Sequence, residues 1–167
     1  MSQNIAWTDY DSVDSTELDG TVEAPTPFDR TLTIPANAIY TGDVLRLWWA
    51  GECTVLPVGA TGSAALIING TISASAGSFT FGVIGDVAWL YGEVVFEKTG
   101  TSGAVTIRAA INGLSYEYWF ADTPIPNEVD TTAPITIEVQ WWWNGGTDDT
   151  TKIKQTVIAA ILHRGEP

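Results

Sequence analysis

The amino-acid sequence predicts an all-β protein, an antiparallel β-sandwich of the jelly-roll or Greek-key type. The central segment 86–120 contains three strands rich in β-branched and aromatic residues, which suit a pleated, half-buried surface. Asn-Gly pairs begin at Asn69, Asn112 and Asn144, and such pairs favour the tight turn of a β-hairpin. Turn signals recur about every 8–12 residues, a spacing typical of sandwiches and barrels.

The strands that precede the central segment alternate between apolar and polar residues. They are predicted at 31–34, 44–50, 64–68, 71–75 and 78–84. In the second of them, Leu45 and Trp49 lie on one face and Trp48 lies on the other, because successive side chains of a strand point to opposite faces. One of two adjacent tryptophans is therefore expected to face the core, while its neighbour faces away from it.

The central segment and the C-terminal third follow the same pattern. The predicted strands are 86–97, 104–111, 114–120, 134–143 and 152–163. In 134–143 one face carries only apolar residues, namely Ile135, Ile137, Val139, Trp141 and Trp143. Trp142 lies on the opposite face. The segment 121–133 contains two prolines and little periodicity, so we expect a long surface loop or crossover there.

Residues 1–30 differ from the rest of the chain in composition. Seven acidic residues precede Arg30, the first basic residue, and apolar residues are sparse. Either this segment is a poorly ordered acidic terminus, or it is an extended arm that orders on a partner with Trp7 and Tyr10 as anchors. We therefore divide the chain into an extended acidic N-terminal arm, 1–30, and a β-sandwich domain, 31–167.

Composition and charge exclude several classes of partner. The chain of 167 residues has a net charge of −13 with only seven basic residues, so we expect it to bind neither nucleic acid nor an anionic membrane surface. The N-terminus lacks the basic and apolar regions of a signal peptide, and no apolar run approaches the length of a membrane span. The lone Cys53 allows no disulfide within the chain.

The residues available for catalysis are few, and we expect a protein that is not an enzyme and needs no cofactor. His163 is the only histidine, which argues against a zinc site, and Cys53 is best interpreted as a structural thiol. Glu93 and Glu97 share a strand face, and a pair of carboxylates is what a glycoside hydrolase uses for catalysis. In an acidic sandwich, however, glutamates lie on solvent-exposed faces by default, so we do not expect this pair to be catalytic. Paired aspartates around Asp148 offer oxygen ligands but do not match the EF-hand spacing, which leaves calcium binding open.

Tryptophan is the unusual feature of the composition, with eight residues in a small chain. Three interpretations remain open: core packing, contacts with another subunit or partner, and a platform on which sugar rings stack. Candidates for partner or subunit contacts are Trp7, Tyr10, Trp48 and Trp142. Candidates for glycan stacking are Trp48, Tyr116, Tyr118 and Trp142.

Three stretches resemble virion structural proteins of tailed bacteriophages. The first is LTIPANAIYTGDVLRLWWAG at 32–51, which is similar to a recurrent phrase containing IPA and GD. The second is the long strand, small-residue turn and return strand of 88–106, and the third is DTTAPITIEVQW at 130–141. The resemblance implies a jelly-roll domain on the exterior of the particle, often as a homotrimer.

From this resemblance we expect a non-enzymatic capsid decoration, or cement, protein. It would bind the major capsid protein or another virion protein, lie on the outer surface of the particle, and be made in the host cytoplasm. The alternative is a tail or fibre module, or another carbohydrate-binding module, that binds host glycan through exposed tryptophans.

Overall fold

The computed structural model describes residues 4–55, 59–75, 79–113, 116–119, 123–145 and 147–165, with the backbone alone for 71–75, 79, 108–113, 116–119 and 123–128. All regular structure in this part of the chain is extended. The strands are β1 Ile5–Asp11, β2 Leu18–Asp19, β3 Thr26–Pro27, β4 Leu32–Ile34, β5 Val44–Val55, β6 Thr61–Ile68, β7 Thr71–Ser75, β8 Phe79–Thr80, β9 Val87–Lys98, β10 Gly103–Gly113, β11 Tyr116–Trp119, β12 Thr123–Val129, β13 Ile135–Gly145 and β14 Lys152–His163. Within the described residues, no helix has the length and hydropathy needed to cross a bilayer.

The strands form two antiparallel sheets, as the sequence predicts. The eight-stranded sheet has the order β1-β14-β5-β9-β10-β11, with β2 also on β14 and β12 also on β10. The six-stranded sheet has the order β3-β13-β6-β7, with β4 also on β13 and β8 also on β6. The chain passes between the sheets after β2, β4, β5, β8, β12 and β13, so that many neighbouring strands are distant in sequence. These Greek-key connections confirm the predicted antiparallel sandwich.

The core between the sheets is centred on aromatic rings, namely Phe28, Trp49, Phe81, Trp141 and Trp143. Trp49 of the eight-stranded sheet stacks on Trp141 of the six-stranded sheet with ring centroids 6.3 Å apart. The indole Nε1 of Trp49 donates a hydrogen bond of 2.9 Å to Oε1 of Gln155, which is itself buried. Trp49, Trp141 and Trp143 therefore serve packing between the sheets, and the alternation of β5 and β13 turns Trp48 and Trp142 away from the core.

The predicted hairpin turn at Asn69-Gly70 is confirmed, whereas the turn at Asn112-Gly113 is displaced. Asn69 and Gly70 join β6 to β7 with φ of 50° and 74°, values that asparagine and glycine tolerate best. Asn112 and Gly113 instead lie within β10, opposite Glu117 and Tyr116 of β11. Two residues that lie outside the described part of the chain separate these strands, so that the preference of Asn-Gly for turns is overridden here by strand pairing.

The segment 121–133, expected as a loop or crossover, contains strand β12. Ile125 lies opposite Val105 and Val129 lies opposite Gly103 of β10. A proline lacks the N–H that a central strand needs, but an edge strand can accommodate it. Pro124 and Pro126 therefore obscure the strand in the sequence without preventing it.

Residues 4–30 do not stand apart from the sandwich as an arm. Strand β1 pairs with β14, and the two short strands that follow join the eight-stranded and six-stranded sheets in turn. Phe28 lies in the core, 5.7 Å from Trp49 between ring centroids. The amide of Ser15 donates to the carbonyl of Gln155 at 2.9 Å. Acidic composition made the segment resemble a tail, but its sparse apolar residues are sufficient to anchor it.

The C-terminal end of β14 is joined to the loop before β5 by a buried carboxylate. Asp43 is completely buried, and its Oδ2 accepts a hydrogen bond of 2.8 Å from Nη1 of Arg164. The same carboxylate accepts hydrogen bonds from the amides of Tyr40 and Gly165, at 2.9 and 3.0 Å. The Arg164 guanidinium also lies 4.2 Å from the centre of the Tyr40 ring. This cluster joins the loop before β5 to the residues that follow β14.

Candidate functional site

The outer face of the eight-stranded sheet carries a row of exposed aromatic side chains, which we call the aromatic row: Tyr10, Trp48, Trp89 and Tyr91. Their exposed fractions are 69%, 36%, 53% and 37%. Trp49 and Leu90 pack inward, so the alternation of β5 and β9 directs Trp48, Trp89 and Tyr91 outward. Tyr10 lies on the same face, opposite Ala159 of β14. Apolar groups of this size exposed together on one face indicate a binding surface.

The strand register brings most of these residues onto one line across the sheet. Tyr10 of β1 lies opposite Ala159 of β14, Ala159 lies opposite Trp48 of β5, and Trp48 lies opposite Tyr91 of β9. The rings of Trp48 and Tyr91 touch edge to face, with centroids 5.7 Å apart and planes at 61°. Trp89 lies two residues before Tyr91 on the same face, so it extends the aromatic surface along β9.

Ala159, which lies between Tyr10 and Trp48 in the strand register, leaves room for a shallow depression. Between Tyr10 and Trp48 lies a pocket of about 350 Å³, whose lining residues are Thr8, Asp9, Tyr10, Trp48, Ala159, Ala160 and Ile161. Ala159 gives the depression its floor because no larger side chain stands between the two rings. The pocket is mostly apolar, and Thr8 and Tyr10, which share the face of Trp48, bring hydroxyl groups to it.

An ion pair lies beside the aromatic row. Arg46 and Glu93 face each other on β5 and β9, with 3.4 Å between Nε and Oε2. Both side chains are partly exposed, and each is two residues from a ring of the row, Trp48 or Tyr91. The surface thus combines flat aromatic groups with a few oriented polar groups, the composition usual in ligand sites of proteins.

The structure separates the candidates that the sequence analysis grouped together. Trp48 lies in the eight-stranded sheet and Trp142 lies in the six-stranded sheet, and both point away from the core. They therefore lie on opposite sides of the sandwich and cannot form one platform. Tyr116 and Tyr118 lie on β11, opposite Gly113 and Ile111, and their side chains are outside the described residues.

Among the remaining candidates, Tyr10 is exposed but Trp7 is not a free anchor. Trp7 is partly buried and packs against the core of its own chain. Trp89 and Tyr91 were not selected from the sequence, although the alternation Ala88-Trp89-Leu90-Tyr91 carries the signal. With Leu90 buried at 1% exposure, both neighbours must face outward.

No catalytic constellation is apparent in the described residues. Cys53 lies opposite Ile153 of β14, and His163 lies ten residues further along the same strand. This separation corresponds to roughly 33 Å. Burial raises the pKa of the Cys53 thiol to about 12, which opposes formation of a nucleophilic thiolate. No group of three or more His, Cys, Asp or Glu side chains in the described ranges is arranged to hold a metal ion.

No protein-family model and no curated protein sequence matches this chain. Among solved structures, the chain is similar to the acidic lectin of winged bean complexed with methyl-α-D-galactose, with a TM-score of 0.40, 6% identity, and coverage of 99% of this chain and 96% of that one. It is also similar to the PL-14 alginate lyase from Aplysia kurodai, with a TM-score of 0.39, 8% identity, and coverage of 98% and 100%. A third is the CBM2 module of Lactobacillus casei BL23 phage J-1 evolved Dit, with a TM-score of 0.33, 12% identity, and coverage of 82% and 70%. At these values, function has to be inferred from the residues of the chain itself.

Proposed function

We propose that this protein is a non-enzymatic binding protein that recognises glycan through the aromatic row. The observation that carries this proposal is the edge-to-face pair of Trp48 and Tyr91, exposed beside a depression floored by Ala159. One face of a pyranose ring consists largely of C–H groups. Packing that face on an indole or phenol ring removes apolar area from water. The hydroxyls around the rim of the sugar can then hydrogen-bond to Thr8 or to the Arg46–Glu93 pair.

Charge selects glycan over other ligands that stack on aromatic rings. Nucleic-acid bases also stack on exposed tryptophans, but their phosphates need clustered basic residues. Arg46 is partly exposed beside the row and is already paired with Glu93 at 3.4 Å, and the chain carries a net charge of −13. A neutral or hydroxyl-rich ligand meets no such repulsion.

A glycan array followed by calorimetry on the positive glycans tests this proposal. Trp48→Ala should weaken binding about tenfold, because a well-placed aromatic contact contributes about 0.5–1.5 kcal/mol beyond its buried area. Val83→Ser is the matched control, since Val83 is 63% exposed on a loop that does not belong to the row. The assignment would be refuted if the protein bound no glycan on the array, or if Trp48→Ala and Val83→Ser bound the positive glycans equally well.

A second candidate is the virion decoration protein that the sequence resemblance implies, a homotrimer on the outer surface of a phage head. Exposed apolar groups beyond the aromatic row favour it. Val83 and Ile84 are 63% and 64% exposed at the tip of the loop before β9, and Val55 is 37% exposed. The carboxylate of Asp86 accepts hydrogen bonds from the amides of Gly82 and Val83, at 2.8 and 2.9 Å, and so holds this loop in shape. A preformed apolar loop suits docking to another protein.

Light scattering after gel filtration, followed by co-sedimentation with particles that lack the protein, tests the second candidate. A homotrimer that co-sediments, and that loses co-sedimentation on Ile84→Ser, would support it. Deletion of residues 1–30 is unsuitable here, because it removes β1 and the core residue Phe28. Tyr10→Ala probes the N-terminal strand without opening the core. A monomer that does not co-sediment with the particles would count against a decoration protein.

A further inference from the structure

A second cleft lies on the other side of the sandwich, where β13 meets the segment after β2. It has a volume of about 380 Å³ and is lined by Glu23, Trp142, Trp143, Asn144, Gly145 and Thr147. These residues belong to neither the aromatic row nor its depression. Trp142, which the sequence singled out, therefore lies at a site that the proposed glycan face does not include.

The walls of this cleft are held by hydrogen bonds that need no ligand. The amide of Trp143 donates to the carbonyl of Val22 at 2.8 Å, which joins the two sides. The Thr147 hydroxyl donates to the carbonyl of Gly20 at 3.0 Å. The Asn144 amide nitrogen donates to Oγ of Ser63 at 2.6 Å, and this contact sets the orientation of its side chain. A ligand would bind there at little cost in conformational entropy.

The polar groups of the cleft come from three side chains, Glu23, Asn144 and Thr147. The Trp143 side chain is 2% exposed and packs into the core against Phe81 and Trp141, so its indole is not one of them. Glu23 adds carboxylate acceptors, and Asn144 and Thr147 add an amide and a hydroxyl. The partly exposed indole of Trp142 supplies an apolar surface beside them.

We infer that this cleft is a second glycan site, which takes a single neutral sugar residue with Trp142 against its C–H face. The ligand class rests on the function proposed above, but the site is separate from the aromatic row. With one carboxylate and no basic residue among the described residues that line it, the cleft disfavours phosphates and provides too few charged ligands for a divalent cation. Two sites on opposite sheets make each chain bivalent, so that one molecule can bridge two glycan chains.

Nuclear magnetic resonance of the eight tryptophan indole N–H groups tests the inference on the full chain. Single Trp→Phe variants assign the signals, and the probes are glucose, galactose, mannose, N-acetylglucosamine and rhamnose at millimolar concentration. We expect one or more probes to shift the Trp142 and Trp143 signals saturably. Trp142→Ala should weaken this response about tenfold and Glu23→Gln should weaken it severalfold. Trp48→Ala, the matched control on the other sheet, should leave it unchanged.

The outcomes separate this inference from the proposed function. Shifts confined to Trp48 and Trp89 would overturn the second site while leaving the aromatic row as the glycan site. Shifts of Trp142 and Trp143 that persist in Trp48→Ala establish two independent sites. Shifts at Trp142 that vanish in Trp48→Ala would mean one coupled site and would overturn bivalency. No shift of any indole with any probe would overturn both assignments. Glu23 is exposed, so Glu23→Gln keeps the test valid if Trp142→Ala does not fold.

Discussion

Replacement of Asp43 with alanine should lower the free energy of unfolding by about 3 kcal/mol. The carboxylate is completely buried and accepts three hydrogen bonds, from Tyr40, Arg164 and Gly165. Loss of one partner of a buried ion pair costs about 3–5 kcal/mol. Arg164 is 33% exposed, so water can solvate its guanidinium once the carboxylate is gone. The lower end of the range therefore applies.

Urea unfolding followed by tryptophan fluorescence measures this change, because core tryptophans become solvated as the sandwich opens. For a domain of this size a loss of 3 kcal/mol corresponds to a fall in Tm of about 6–12 °C. Asp149→Ala is the matched control, since Asp149 is exposed in the turn before β14 and should change stability by less than about 0.5 kcal/mol. A loss below about 1 kcal/mol for Asp43→Ala would refute the role assigned to the carboxylate.

The Arg164→Ala variant completes a double-mutant cycle. It removes the guanidinium but leaves Asp43 with the amides of Tyr40 and Gly165 as donors. The two single changes share one contact, so their effects should not add, and the coupling energy should be about 1–3 kcal/mol. Additive effects would mean that Asp43 acts through the backbone amides alone.

Three further predictions concern the core and the acidic surface. Gly62→Ala should destabilise the chain by about 1–3 kcal/mol in urea, because the new Cβ would overlap the indole of Trp141; Gly82→Ala, whose Cβ would meet its nearest atom at 3.4 Å, should change stability by less than about 0.5 kcal/mol. Cys53, buried and with its pKa raised to about 12, should react with a thiol reagent at neutral pH only after unfolding; rapid labelling of the native chain would contradict this. Hydrogen bonds from threonine hydroxyls and amides lower the pKa of Asp148 below 3.8, so its stabilising effect is complete above that pH and is lost as the pH falls through the folded value. The difference in urea midpoint between the native chain and Asp148→Asn should therefore narrow in acid, and a constant difference would contradict it.

Much of the fold could be predicted because local patterns and tertiary packing agree. The alternation in β5 and β13 assigns Leu47, Trp49 and Trp141 to the interior, where the structure buries them completely. The positive φ at Asn69 could likewise be predicted, because an Asn-Gly pair favours a turn with positive φ at both residues. Prediction failed where packing overrode local preference. Asn112 continues a strand because β9 and β11 pair with β10 on both sides.

The candidate site could be predicted only in part, because it depends on pairings that a sequence does not display. Alternation shows that Trp48 faces away from Trp49, but it does not show that β5 and β13 belong to different sheets. Tyr10 reaches the neighbourhood of Trp48 through β14, and the paired residues Trp48 and Ala159 are more than a hundred positions apart in the chain. Long-range register of this kind is set by the complete fold.

The Gly42-Asp43 pair has a structural role in this chain. Gly42 adopts a φ of 89° and Asp43 turns its carboxylate into the fold, so that the pair begins β5 and anchors the C-terminal end of β14. Both residues therefore carry information about folding. The outward-facing residues of the same strands carry the information about binding. Trp48 and Asp43 lie five residues apart, yet Trp48→Ala should change binding with little effect on folding, while Asp43→Ala should change folding first.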